Sequence, residues 1–270
     1  MTKPQASNLL PLRGGSFGAW TLELFCSLVF GAWSFSCQAA TDPLFTAGVR
    51  AYHGGNYAAA AKCFGESAAL HPAPGTLQNL GLTEWQGGQV GYAVLAWERA
   101  LWLDPFNQSA HANLRYARKA AQIEAPELAW YEVVSNWLPA DWWAWIAGLS
   151  FWLAVAVTML PGILRRPKAG WHQALAALSL TVFLLSLPAI AGVRTRSSIG
   201  FVVQKNTPLR LTPTREAQVL TRLPAGEPAR WQQRRGSFVL LRTNRAVGWV
   251  EQDQFGLICP TRQREQGTRL

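Results

Sequence analysis

Residues 48–72 read GVRAYHGGNYAAAAKCFGESAALHP and residues 81–105 read GLTEWQGGQVGYAVLAWERALWLDP. Shifted by 33 residues, the two superpose. Gly48, Gly55, Tyr57, Ala60, Phe64, Leu70 and Pro72 in the first are answered by Gly81, Gly88, Val90, Ala93, Trp97, Leu103 and Pro105 in the second. A fixed period of this length marks a stacked repeat, in which each unit buries its apolar face only against its neighbours. The glycine pairs Gly54-Gly55 and Gly87-Gly88 predict tight turns. Pro72 and Pro105 predict helix stops, because proline cannot continue a helix interior. Two helical hairpins are therefore expected, over 44–76 and 77–109. Asn113-Leu114 repeats Asn79-Leu80 one residue later than the period, which predicts a capping helix over 109–122.

Small residues at Gly48, Gly81, Ala60 and Ala93 let paired helices approach, and Phe64 and Trp97 are expected to fill the space between successive hairpins. These small and large positions and the closing proline resemble the tetratricopeptide repeat, so the repeat region is set at 41–123. The resemblance implies a concave face that binds a segment of a partner protein. Asn79, Glu84 and Arg115 are candidate contacts on that face. His53-Gly54-Gly55-Asn56 has the form of an oxyanion-hole stretch, but that role needs a strand context and a nucleophile. The same turn recurs as Gln86-Gly87-Gly88-Gln89, and no GxSxG occurs, so the stretch is read as a turn.

Working outward, residues 124–141 form a linker. Trp142 to Leu164 and Trp171 to Val193 follow, two uncharged runs of 23 residues each. Each is long enough to cross a hydrocarbon core of about 30 Å as a helix. Trp137, Trp142, Trp143, Trp145 and Trp171 gather at the ends of the runs, as aromatic residues do at membrane interfaces. The loop at 165–170 contains Arg165-Arg166-Pro167-Lys168 and no acid, which the positive-inside rule assigns to the cytoplasm. Both flanking modules are then expected on the periplasmic side, although Arg194 and Arg196 after the second run argue the other way. His172 is the only titratable group in the runs, and the lack of an intramembrane charge pair disfavours a pump or transporter.

Residues 1–40 carry Lys3 and Arg13, an apolar run from Leu24 to Phe35, and then Cys37-Gln38-Ala39-Ala40. This is the pattern of a cleaved signal peptide, with an uncleaved anchor as the alternative. The net charge of +10 is distributed unevenly: residues 41–141 hold six basic and nine acidic groups, residues 194–270 fourteen and five. The C-terminal module is therefore the basic one; such an excess suits anionic partners such as lipid head groups, acidic glycans or an acidic protein face, and equally serves solubility alone.

From 197 to 260 short β-rich stretches alternate with turn residues. They are Phe201-Val202-Val203, Leu209-Arg210-Leu211, Val219 to Leu223, Ala229-Arg230-Trp231, Phe238 to Leu241 and Gly248-Trp249-Val250. Such spacing predicts a small all-β barrel. The run Leu220 to Gly226 and the closing Gly248-Trp249-Val250 resemble the bacterial Src-homology-3-like (SH3-like) domain. That resemblance implies binding of cell-wall peptides or partner proteins, with Trp231 and Trp249 as candidate contacts, although a core position is the more frequent role of such a tryptophan. Residues 261–270 are read as a disordered tail.

No catalytic or cofactor-binding constellation is legible. Cys26, Cys37, Cys63 and Cys259 lie too far apart for a metal site, and no catalytic arrangement of cysteine and histidine can be assembled. The sequence thus describes a multi-domain membrane protein that binds rather than catalyses. The order of signal peptide, tetratricopeptide repeats, transmembrane helical hairpin and SH3-like barrel resembles the BatE family of bacterial aerotolerance operons. That resemblance implies a multi-pass protein of the bacterial inner membrane, acting as an interaction scaffold with von Willebrand A-domain Bat proteins and a MoxR-type ATPase. A peptidoglycan-binding envelope sensor is the alternative. Periplasmic display removes nucleic acid as a partner; an inverted topology would restore it.

Overall fold

A computed structural model describes residues 42–163 and 170–259. The expected signal peptide, the basic Arg165 to Lys168 connection and the tail 261–270 lie outside the described residues. Five helices come first: α1 (Pro43–His53), α2 (Tyr57–Leu70), α3 (Pro74–Gln86), α4 (Val90–Leu103) and α5 (Gln108–Ala121). Their ends follow from sequence chemistry. Pro43 and Pro74 open α1 and α3, where a missing N–H costs nothing. The Asn56 and Asn107 side chains accept from Ala59 N and Ala110 N, each at 3.0 Å, and so cap α2 and α5. Gly55 and Gly88 adopt φ of 74° and 73°, the left-handed conformation the two tight turns require.

Inside each hairpin a glycine receives an aromatic ring. A Cβ on Gly48 would lie 2.8 Å from the Phe64 ring, and one on Gly81 would lie 2.5 Å from Trp97 Nε1. The large residues thus seat on the glycine of their own hairpin, where the sequence pattern assigned them to the space between hairpins. Phe64 also reaches the next unit, since it shares a cavity with Asn79 and Leu82 of α3.

The segment read as a linker contains a sixth helix, α6 (Trp130–Ser135), and two long helices follow, α7 (Ala140–Ile163) and α8 (Gly170–Arg196). Ala140–Gly162 and Gly170–Arg196 span 23 and 27 residues, and their most apolar 18-residue stretches have mean hydropathies of 1.8 and 2.2, so both are long and apolar enough to cross a membrane. They pack on each other through small residues. Ala147, Ser150, Ser179, Ser186 and Ala189 are buried, and the Phe151 and Phe183 rings meet at 5.4 Å. The buried serine hydroxyls donate within their own helices, Ser150 Oγ to Ile146 O and Ser179 Oγ to Leu175 O, so no polar group is stranded there. Most other side chains of the pair face outward, among them Leu149, Trp152, Met159, Leu178, Leu184 and Leu185.

The remaining chain forms a seven-stranded antiparallel sheet ordered β3-β2-β6-β5-β4-β1-β7. Its strands are β1 (Ile199–Val202), β2 (Thr207–Arg210), β3 (Val219–Leu223), β4 (Pro228–Arg235), β5 (Phe238–Arg242), β6 (Val247–Glu251) and β7 (Phe255–Leu257). β1 is buried along its whole length because its two faces serve two cores. Val202 joins Leu209, Leu223, Val239, Leu241 and Val250 inside the sheet, whereas Ile199, Phe201 and Val203 join Leu77, Val94, Leu95, Trp97 and Leu114 of the helices. The alternation is that of a strand with period two. Helices and sheet therefore share a core. A Cβ on Gly91 of α4 would lie 2.3 Å from Val203 O, and one on Gly256 of β7 would lie 2.2 Å from Leu95 Cδ2.

Candidate functional site

A recess suited to an apolar ligand lies between α1 and α3. Val49, Tyr52 and His53 from α1, Phe64 from α2, and Asn79 and Leu82 from α3 line a cavity of about 320 Å³. Its shape follows from the repeat. Gly48 draws Phe64 inward, and the 33-residue period sets α3 beside α1 with Leu82 as the wall. Five of the six lining residues offer carbon or ring surface, and Asn79 brings an uncharged amide that can fix one polar group of a bound segment. Thr83 Oγ1 donates to Asn79 O at 2.8 Å, which steadies this turn of α3.

The other predicted repeat contacts lie elsewhere. Glu84 is half-buried on α3 and does not line this cavity, and burial pushes its carboxyl pKa up. Arg115 is exposed on α5, beside a shallow depression that it shares with Gln108, Ser109, His111 and Ala112. Asn79 is thus the only one of the three in the α1–α3 cavity. Trp231 on β4 packs against the sheet core together with Ala246, and its backbone N–H donates to Ser198 O at 2.8 Å. Trp249 on β6 pairs with Leu240 and Arg210. Both indoles are half-buried, and neither lines the α1–α3 cavity.

Two polar clusters went unread in the sequence, and both join distant parts of the chain. In the first, Glu98 on α4 pairs with Arg118 on α5. The Arg196 guanidinium at the end of α8 stands 5.2 Å from the centre of the Trp102 ring and donates to Ser135 Oγ at 3.3 Å. Burial raises the Glu98 carboxyl pKa and outweighs the opposing pull of Arg118, Arg196 and His111. In the second, Arg230 on β4 holds Glu132 on α6 through its two terminal guanidinium nitrogens. A cleft of about 570 Å³ opens beside this pair, between Pro126 to Ala129 and strands β4 and β5. Where α4 meets β7, Arg99 Nε donates to Leu257 O at 2.9 Å, and burial lowers the Arg99 pKa to about 10. Each cluster couples residues far apart in sequence, so no local spacing could reveal it.

Among the described residues, no three His, Cys, Asp or Glu side chains converge as metal ligands. Comparison with protein-family models, with curated proteins and with solved structures finds no match.

Proposed function

We propose that this chain is a membrane-anchored interaction scaffold, in which the α1–α3 cavity takes an apolar segment of a partner protein and the α7–α8 hairpin holds the body at a bilayer. The cavity carries the binding half of this reading: it is of ligand size and mostly apolar, with the Tyr52, His53 and Asn79 side chains as its polar groups. The outward leucines and aromatics of α7 and α8 support the membrane half, since such a surface is costly in water and suited to lipid.

A shared core between helices and sheet requires both to stand on one side of any bilayer that α7 and α8 cross, and an even number of crossings between them agrees with that. Taken with the cations at 165–168, this supports display on the periplasmic face of the inner membrane. The tetratricopeptide and SH3-like readings, and the order of segments resembling BatE, support membership of a Bat-type assembly with von Willebrand A-domain partners in aerotolerance or envelope stress. Envelope-polymer binding by the sheet is a second reading, favoured by the exposed Arg222, Arg235 and Arg242.

A photo-crosslinking residue at position 49 or 82 of the full chain, in native membranes, tests the scaffold reading. A discrete crosslinked protein that disappears in Tyr52→Asp is expected; equal crosslinking from the cavity and from position 235 on the sheet would contradict it.

A further inference from the structure

The helix α6 has two unlike faces. Glu132 and Ser135 point inward and are buried, Glu132 on Arg230 and Ser135 beside α8. Trp130, Val133 and Trp137 fall at intervals of three and four residues, hence on one side, and are 69%, 46% and 65% exposed. Trp137 keeps the helical path just beyond α6, since its N–H donates to Val134 O at 3.1 Å.

This apolar side cannot swing into the fold. A Cβ on Gly192 of α8 would lie 2.3 Å from Tyr131 O, so α6 rests directly on the α8 backbone. Trp143 Nε1 donates to Ser135 O at 3.2 Å and fastens α7 to the same turn. The exposed face is continuous with the hairpin: α7 begins at Ala140, and Trp142 in its first turn is likewise exposed. Arg194, in the last turn of α8, is exposed at the same end of the hairpin. Exposed indole rings and a guanidinium at the same end of two apolar helices have the composition of a headgroup-level belt.

We propose that α6 lies in the membrane interface, with Trp130, Val133 and Trp137 sunk into the headgroup–acyl boundary and Arg194 at the level of the lipid phosphates. The bilayer then touches the soluble body as well as the spans and sets the angle at which that body stands. This rests on the reading of α7 and α8 as membrane spans.

The test uses the full chain with its native cysteines replaced by alanine, reconstituted in phosphatidylcholine–phosphatidylglycerol vesicles. An environment-sensitive fluorophore is placed by single cysteines at 130, 133, 137, 153, 184 or 235. Quenching is compared between aqueous iodide and lipids carrying shallow or deep nitroxides. Positions 130, 133 and 137 are exposed in the fold, so labels there remove little packing beyond the Trp130–Tyr131 ring contact. The expected result places those three labels about 5–10 Å into the interface, with iodide quenching reduced several-fold relative to position 235. Full iodide quenching at 130, 133 and 137, with deep-nitroxide quenching at 153 and 184, would overturn the proposal and leave the spans standing. Shielding of the three from both iodide and nitroxide lipids would assign the face to a protein partner and overturn it equally. Iodide quenching at 153 and 184 as well would remove the membrane reading on which it rests.

Discussion

Arg230 on β4 and Glu132 on α6 form a two-point ion pair, Nη1 to Oε1 at 2.8 Å and Nη2 to Oε2 at 2.7 Å. The same guanidinium donates to Glu127 O at 2.9 Å, and Ala129 N donates to Glu132 Oε2 at 2.9 Å. One arginine thereby fixes the segment before the first long helix onto the sheet that follows the second. Entry to the hairpin and exit from it are held together outside the apolar region.

Removing the arginine strands a carboxylate that is 1% exposed. Arg230→Ala is expected to destabilise the full chain by about 3 kcal/mol, the low end for breaking a buried pair because Arg230 itself is partly exposed. Thermal unfolding in detergent checks this, and an unchanged transition would mean that Glu132 finds another cation.

The pair also sets a pH dependence. Burial alone would raise the Glu132 carboxyl pKa, but hydrogen bonds from Arg230 and Ala129 and the Arg230 charge bring it below its ordinary 4.5. A depressed folded pKa stabilises the protein above the unfolded value and is lost as pH falls through the folded one. Stability from this group should therefore be complete above about pH 4.5 and decline below it. Glu132→Gln should lose that part of the acid-sensitive limb, as read by unfolding midpoints between pH 3 and 7.

Two helix glycines should respond to alanine with opposite signs. At Gly81 the added Cβ meets Trp97, so Gly81→Ala is expected to cost about 1–3 kcal/mol through overpacking. At Gly65 on α2 nothing lies within 4 Å, and Gly65→Ala should stabilise by about 0.5–1 kcal/mol through helix propensity. Denaturant midpoints of the two variants distinguish a packed position from an open one.

Gly91→Val should uncouple the helices from the sheet, because the space beyond its Cα is filled by Val202 O and Val203 O. Limited proteolysis is expected to cut the variant within 122–129 while sparing the wild type. Equal resistance would show that the shared core tolerates the side chain.

Much of this architecture was legible where the signal is local. The 33-residue period located both hairpins, the glycine pairs located their turns, and Val219 to Leu223 matches β3 residue for residue. The sequence bounds of the two long helices differ from the observed ones by at most three residues at an end. Other features depend on partners far along the chain. The helix α6 spans six residues and draws its buried face from Arg230 and Gly192, so its own composition resembles a linker. The strand β7 has three residues and is defined by pairing with β1. Nothing in the local sequence marks Gly91, and only the fold shows that it is where α4 meets the sheet. Among the candidate contacts, Asn79 reached the cavity because the repeat places it on the inner helix. Trp249 and Trp231 look alike in sequence as ligand contacts or core residues, and both are half-buried.

Because the helical repeats and the sheet share a core, both must stand on one side of any bilayer that α7 and α8 cross. Single cysteines at 119 on α5, 166 between the long helices and 235 on β4 can be probed in intact and permeabilised cells with a membrane-impermeant maleimide. Reaction is expected at 119 and 235 in intact cells and at 166 only after permeabilisation. Reaction at 119 or 235 alone would place the two modules on opposite sides and contradict the shared core.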